Sequence, residues 1–486
     1  MDSRFISNLL KGLFSTSFGG IATIGFHFLS ILLMTRYVPK EVLGAYFLAF
    51  AIVQVLGIVS GLGLDLTLAK SVSGVDRHLQ QDVAASVIAV RFISITAVGL
   101  VFYATGWFVL PVFDARLSDY IVIMIPLFAL TSYRDLFLRL MQGVQQFKEY
   151  AIVQVISAIS RVILLIVFHD RLNLQTLLYI EIVSQLIQVV LQLFFLRSLL
   201  FSLSLRNIKT ESVRNLTRFG TPLYYNNILT LIYDRSSTFL IGALLNPASV
   251  AAFEVALKIP DGFMRIFDSF IVVYFPSSSN LFAKGDRDDA KKLMNSSLVL
   301  LSTGIIFLVL VAFLFAKDIV LVVFSKDYLE VSLTFALLML NFYLRAISNV
   351  LGYSLVAAGY SSAPVKANIV ASIVNIISSF VMIQKFGYIG AVYSLLLMNI
   401  TSQIIYGLLL KRARLVPYLL EYLKPVFLFV VAISVYWFFG TNSIMLELLL
   451  IGLYIGSCWI LIKEIRESSH SILKYIFRPR VRSESV

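Results

Sequence analysis

The stretch Leu293-Met-Asn-Ser-Ser-Leu-Val-Leu-Leu-Ser-Thr-Gly-Ile-Ile-Phe-Leu-Val-Leu-Val-Ala-Phe-Leu-Phe-Ala316 contains no ionisable side chain. As a helix rising about 1.5 Å per residue it would reach roughly 36 Å, enough to cross the ~30 Å hydrocarbon core of a bilayer. A barrel strand would alternate polar and apolar residues, and this run does not. In hydrocarbon its backbone groups must bond within the segment, which makes it a helix.

Working outward, segments of the same kind recur about fourteen times, each near the ~20 residues that a transmembrane helix needs. The first seven are Phe14 to Thr35, Val42 to Leu68, Val83 to Leu110, Asp119 to Met141, Ala151 to Phe168, Leu174 to Leu196 and Phe219 to Leu245. The others are Ala251 to Pro276, Leu293 to Ala316, Val331 to Ala357, Pro364 to Ile383, Tyr388 to Leu410, Pro417 to Gly440 and Ser443 to Ile462. With 59% hydrophobic residues, 14% charged residues and a mean hydropathy of +0.89, the 486-residue chain has too little polar surface to coat a water-soluble globule. The fold class is an all-α integral membrane protein.

Positively charged loops resist translocation, so Lys and Arg set the orientation. With a cytoplasmic N-terminus, the inner loops and tail hold groups such as Arg206/Lys209/Arg214/Arg218, Lys284/Arg287/Lys291/Lys292 and Lys411/Arg412/Arg414. The division is then roughly 24 cations inside to 7 outside. Both termini are expected in the cytoplasm. This bias also accounts for most of the net charge of +13, so the basic pI of 9.6 does not point to nucleic acid as a partner. The tail from Lys463 to Val486 is placed to lie on anionic lipid head groups.

Met1 to Leu13 is short and mixed, so no cleavable signal peptide is expected and the first span serves as its own signal. The lone cysteine, Cys458, excludes an intramolecular disulfide and reads as a packing residue. The longest inner loop, Arg197 to Arg218, is far below domain size. The chain has no G-x-x-x-x-G-K-S/T loop, H-E-x-x-H pair or G-x-S-x-G elbow, and its four histidines are scattered. Neither ATP hydrolysis nor any other enzymatic activity is expected, and no cofactor or metal.

A many-span chain without enzymatic loops reads as a secondary transporter, and these are often built from repeats. Arg36-Tyr-Val-Pro-Lys-Glu-Val-Leu-Gly-Ala-Tyr46 and Leu244-Leu-Asn-Pro-Ala-Ser-Val-Ala-Ala-Phe253 match, aligning Pro39 with Pro247 and Val42 with Val250. Six spans per half is an even number, so the halves enter the membrane in the same sense, about a pseudo-two-fold axis along the normal. The organisation read from this is an N-terminal lobe at 1–197, a basic linker at 198–218, a C-terminal lobe at 219–412, two additional spans at 413–463 and a basic tail at 464–486.

Three stretches carry a family resemblance. Arg36 to Lys70, with Pro39, Gly44, Tyr46 and the Gly61-Leu-Gly63 turn, resembles the opening of polysaccharide transporters of the multidrug/oligosaccharidyl-lipid/polysaccharide exporter superfamily. Gln142-Gly-Val-Gln-Gln-Phe-Lys-Glu-Tyr-Ala151 is similar to the same group, as are Ala357-Ala-Gly-Tyr360, Asn375 and Lys385-Phe-Gly-Tyr-Ile-Gly-Ala391. The resemblance implies a MATE-like fold and the work of an O-antigen or capsule repeat-unit flippase. Such a protein passes an undecaprenyl-diphosphate-linked oligosaccharide from the cytoplasmic to the outer leaflet of a bacterial inner membrane. Implied partners are that lipid-linked oligosaccharide, membrane lipids, and the polysaccharide polymerase and chain-length proteins.

The polar path reads most clearly in the eighth span. Glu254, Lys258, Asp261, Arg265 and Asp268 are spaced to fall on one helical face, which must avoid lipid. The same stripe is open to a purely structural reading, as acid-first i,i+4 pairs Glu254/Lys258 and Asp261/Arg265. Arg91, Arg134, Arg161 and Arg345 have no acid three or four residues away, so each needs a partner on another helix or in a ligand. A guanidinium fork suits a diphosphate, and these four with Arg235, Lys258 and Arg265 form the expected substrate-binding set. The alternative for the arginines is pairing with Glu181 or Asp234. Without an ATPase, transport must draw on an ion gradient or on product removal, with Asp234, Glu254, Asp261 and Asp268 as coupling carboxylates. Pro260 and Pro126 mark places for a kink. A cation-coupled multidrug exporter of the same superfamily and a non-transporting scaffold of a polysaccharide synthesis complex are the rival readings.

Overall fold

The computed structural model describes residues 3–73, 76–201, 210–439, 444–462 and 466, and the regular structure among them is helical throughout. The helices are α1 (Ser3–Tyr37), α2 (Lys40–Gly61), α3 (Leu64–Val72), α4 (Arg77–Val109), α5 (Ile121–Gly143), α6 (Phe147–Val167), α7 (Leu174–Leu200) and α8 (Thr210–Leu244). The chain continues through α9 (Pro247–Ala283), α10 (Arg287–Leu314), α11 (Ala316–Val323), α12 (Ser332–Ala357), α13 (Ala363–Phe386), α14 (Tyr388–Arg412), α15 (Leu419–Phe439) and α16 (Ile444–Leu461). Apart from Arg466, the basic tail at 464–486 lies outside the described residues, as does 202–209 of the basic linker.

Twelve helices in the described residues are long and apolar enough to cross a membrane. The two further spans read from the sequence correspond to α8 and α9, which are not among the twelve. They have 35 and 37 residues, ample length, but carry Asp234 and Arg235 on one and the five-residue charged stripe on the other. Their polarity is the reason they fall outside a hydropathy criterion.

The second expected span, Val42 to Leu68, is interrupted. Leu62 (φ 50°) and Gly63 (φ 71°) are both left-handed, which ends α2 and starts α3 in a new direction. Gly63 adopts that conformation without penalty, whereas for Leu62 it is strained. The break matters for the site, because it carries Asp65 beneath α4. A short helix, α11, lies between the ninth and tenth spans where the sequence reading placed only a loop.

The described residues pack as two compact units. The first comprises Met1–Lys258, Val323–Lys326 and Ile376–Ala391. In it α1 lies along α6, α5 lies against α2, α3, α4 and α7, and α8 crosses α2, α3 and α4. Leu64, Leu68, Leu136, Leu140, Met141 and Val153 form its apolar centre. The repeat found in the sequence meets here: a Cβ on Gly44 would overlap the carbonyl of Pro247, so α2 and the start of α9 touch backbone to backbone.

The second unit comprises Ile259–Val322, Asp327–Asn375 and Val392–Val486. Its centre is α10, which packs on α12, α15 and α16. The two spans beyond the repeat are thus tied to the protein by polar bonds as well as packing. Ser302 donates to the Tyr422 carbonyl at 2.7 Å, and Tyr454 donates to the Thr303 carbonyl at 3.0 Å. Trp437 and Phe438, 83% and 85% exposed, present the apolar exterior that lipid requires. The unit boundary falls between Lys258 and Ile259, one residue before Pro260, and α9 continues as helix across it.

Candidate functional site

Gln54, Gly57, Ile58 and Gly61 recur at i, i+3, i+4 and i+7, so they share one face of α2. That face, with Arg91 of α4, Thr131 to Asp135 of α5, Asp65 of α3 and Asn227 of α8, encloses a cavity of about 270 Å³ in the first unit. A second cavity of about 300 Å³ shares Asp65, Asp135 and Asn227 with it and adds Arg139, Gln142 and Tyr150. Arg139 donates to the Gln142 amide oxygen at 2.9 Å.

Arg91 is 1% exposed, among the largest fully buried side chains. Its Nε lies 3.2 Å from Asp65 Oδ1, Nη1 donates to Ser60 Oγ at 3.1 Å, and Nη2 reaches the Ser132 carbonyl at 3.4 Å. A buried guanidinium without an anion would cost several kcal/mol, so Asp65 is what permits it to sit there. Arg134 donates through Nε and Nη2 to Asp135 Oδ1 at 2.9 and 2.7 Å, leaving Nη1 to bond Gln185 Oε1 at 3.0 Å.

From Gln185 the bonds continue inward. Its amide donates to Glu181 Oε1 at 3.0 Å, and Arg161 Nε lies 3.3 Å from Glu181 Oε2. Tyr46 accepts from Arg161 at 2.6 Å and donates to Glu181 at 3.2 Å. One polar chain therefore joins α2, α6, α7 and α5 and ends at the cavity. A separate cluster closes on Glu254, 1% exposed. It accepts from Thr238 at 2.7 Å and Lys258 at 2.6 Å, with Arg235 at 3.4 Å, and Lys258 sits 4.7 Å from the Phe47 ring centroid. Two cations share that carboxylate.

Of the residues expected from the sequence, the structure thus brings Arg91 and Arg134 to one cavity, links Arg161 to Arg134 through Glu181 and Gln185, and joins Arg235, Glu254 and Lys258. Asp234 is exposed on α8. Asp261 (half-buried), Arg265 and Asp268 (both exposed) and Arg345 (half-buried) belong to the second unit. The pairing of Arg161 with Glu181 and of Glu254 with Lys258 follows the structural alternatives noted from the sequence. Tyr46, Gln185, Thr131, Ser132 and Thr238 were missed, since a neutral side chain in an apolar helix carries no signal of what it faces. Arg139, outside the expected set, also lines a cavity.

A family model described as "Polysaccharide biosynthesis protein" matches residues 9–282, more than half of the chain. The chain belongs to the polysaccharide biosynthesis protein family. Both cavities and all three polar clusters of this family member lie in the matched region, and a second model, MatE, matches residues 222–381. A relative in Haloferax volcanii, named "Probable low-salt glycan biosynthesis flippase Agl15", is 22% identical over 382 residues, 76% of each chain. Among solved structures, "Lipid II flippase MurJ, inward closed conformation" superposes with a TM-score of 0.72 at 13% identity, covering 91% of this chain and 98% of that one. An inward-facing multidrug resistance MATE family transporter of the MOP superfamily gives a TM-score of 0.68 at 12% identity, covering 81% and 94%. These likenesses establish the MATE-like fold of this family member and bear out the resemblance read from its motifs.

Proposed function

We propose that this polysaccharide biosynthesis protein is a flippase that carries the head group of a lipid-linked glycan across the membrane. The carrying observation is a pair of adjoining polar cavities lined by arginines and carboxylates, within a bundle of otherwise apolar helices. Such groups are too costly to leave facing hydrocarbon, and lining a cavity gives them access to water and to a polar cargo. The names of the similar proteins, a probable glycan biosynthesis flippase and a lipid II flippase, support the same reading.

In finer terms, the cargo is an undecaprenyl-diphosphate-linked repeat unit of O-antigen, capsule or exopolysaccharide, moved from the cytoplasmic to the outer leaflet of a bacterial inner membrane. The prenyl tail stays in lipid while two six-helix lobes rock to open first inward and then outward, with both chain ends inside and α8 and α9 completing fourteen spans. Arg91, Arg134 and Arg161 are each matched to a carboxylate and hold helices together. The diphosphate is assigned instead to Arg139 and to the Arg235/Lys258 pair, with Arg265 and Arg345 as candidates in the second unit. Ion coupling is assigned to the carboxylates Asp234, Glu254, Asp261 and Asp268, of which Glu254 is engaged by three donors.

Deleting the gene should make lipid-linked repeat units accumulate on the cytoplasmic side, and Arg139→Gln or Arg235→Gln should restore export several-fold less well than the wild type. Normal surface glycan with altered drug tolerance after deletion would favour the multidrug exporter. Normal glycan assembly restored by all cavity variants alike would favour a scaffold.

A further inference from the structure

The cavity formed by α2, α4 and α5 has its charges closed among themselves. Arg91 lies against Asp65 and Arg134 is bonded to Asp135, so two guanidinium groups lining it meet two carboxylates. An entering dianion would have to break one of these pairs and leave a carboxylate uncompensated. The adjoining cavity shares Asp65 and Asp135 but adds a further cation, Arg139, which bonds a neutral amide.

What the first cavity offers instead is hydroxyls. Thr131 and Ser132 are 3% and 1% exposed, and both Oγ atoms lack a hydrogen-bond partner. Other buried hydroxyls bond back to the carbonyl four residues earlier, as Ser86 does to Asp82 and Ser30 to Phe26, and those of Ser184 and Ser237, which lack a partner too, line neither cavity. Leaving two unpaired forfeits their hydrogen-bond energy, which a ligand with its own hydroxyls would recover. Opposite them, Gly57 and Gly61 bare the α2 backbone and Ile58 adds an apolar patch. A lining that combines two hydroxyl side chains with helix backbone left bare by glycine and one apolar side chain matches the mixed polar and apolar character of a pyranose ring. The volume of about 270 Å³ lies near the lower end of the range for small-ligand sites, room for a single sugar.

We infer that this cavity is a subsite for one uncharged sugar of the glycan, read by Thr131 and Ser132, with the diphosphate directed to Arg139 in the adjoining cavity. On α5 the step from Arg134 to Arg139 is five residues, about 7 Å of helix, a fitting separation for a sugar and the phosphates attached to it. The inference rests on the flippase reading and specifies which part of the cargo each cavity takes.

The test uses the full-length protein in lipid nanodiscs, with two probes: a polyprenyl diphosphate, and the same carrier bearing one neutral hexose. Wild type should prefer the hexose-bearing carrier. The Thr131→Val/Ser132→Ala variant should lose about tenfold affinity for it while binding the bare carrier as before. Gly57→Ala should weaken that preference too by narrowing the space, since the added Cβ meets nothing closer than Ser132 Oγ at 3.8 Å. Arg139→Gln should weaken both probes. Equal wild-type affinity for the two carriers, or variants that weaken both alike, would overturn the sugar subsite alone. Binding of neither carrier by wild type would overturn the flippase reading with it.

Discussion

At the scale of single residues, the chain resolves its buried charges by pairing across helices, and Glu254 shows how much depends on one group. Its carboxylate accepts from Thr238 and holds Arg235 and Lys258, the latter lying 4.7 Å from the Phe47 ring of α2. Glu254→Gln leaves two cations without their anion and is expected to destabilise the protein by about 3 kcal/mol, read as a lowered unfolding temperature in detergent. Adding Lys258→Met should recover part of the loss, because one orphaned charge is then removed. Unchanged unfolding of Glu254→Gln would show that the carboxylate is not structural. The Glu254/Lys258 pair was legible in the sequence because both lie on one helix at i,i+4. Arg91 with Asp65 was not, since only the turn at Leu62 and Gly63 brings them together. Arg134 with Asp135 was missed for another reason: adjacent residues on a helix diverge, and it takes a long guanidinium side chain to fold back.

At the scale of elements, the break between α2 and α3 is the feature most open to a direct test. A Cβ on Gly63 would strain a left-handed residue and also strike the Gly220 carbonyl on α8. Gly285, between α9 and α10, is left-handed too (φ 82°), but nothing lies within 4 Å of its would-be Cβ. Gly285→Ala should therefore cost about 1 kcal/mol, the backbone preference alone. Gly63→Ala should cost at least about twice that and lower the yield of folded protein, as judged by size-exclusion profiles. Equal losses would mean that the α2–α8 contact is loose. Hydropathy made the long helices legible, with ends misjudged by several residues where they extend beyond the apolar stretch, as at Arg77 of α4. It could not show the break, because the residues on both sides of Leu62 remain apolar and the run reads as continuous.

At the scale of the whole molecule, the fold was legible from length and composition together with the repeat around Pro39 and Pro247, and the structure places the second of these against the first half of the chain, at Gly44. The polar helices α8 and α9 bear on how such a protein is made. A charge at mid-membrane costs about 2.5–3.5 kcal/mol on insertion scales, so a newly made α8 or α9 would partition poorly into lipid alone. In a cell-free translation series with microsomes or inverted vesicles, nascent chains ending after α8 should leave it incompletely integrated, whereas chains extending past α9 should integrate both. Full integration of α8 by itself would refute this. The surface that receives them is α2, through Gly44 and Phe47, and it has already left the ribosome when they emerge. Synthesis order thus sets an assembly order: the early helices act as a waiting template, and a lesion in α2 would surface first as a failure of biogenesis, with the later helices stranded at the insertion machinery and cleared by proteolysis.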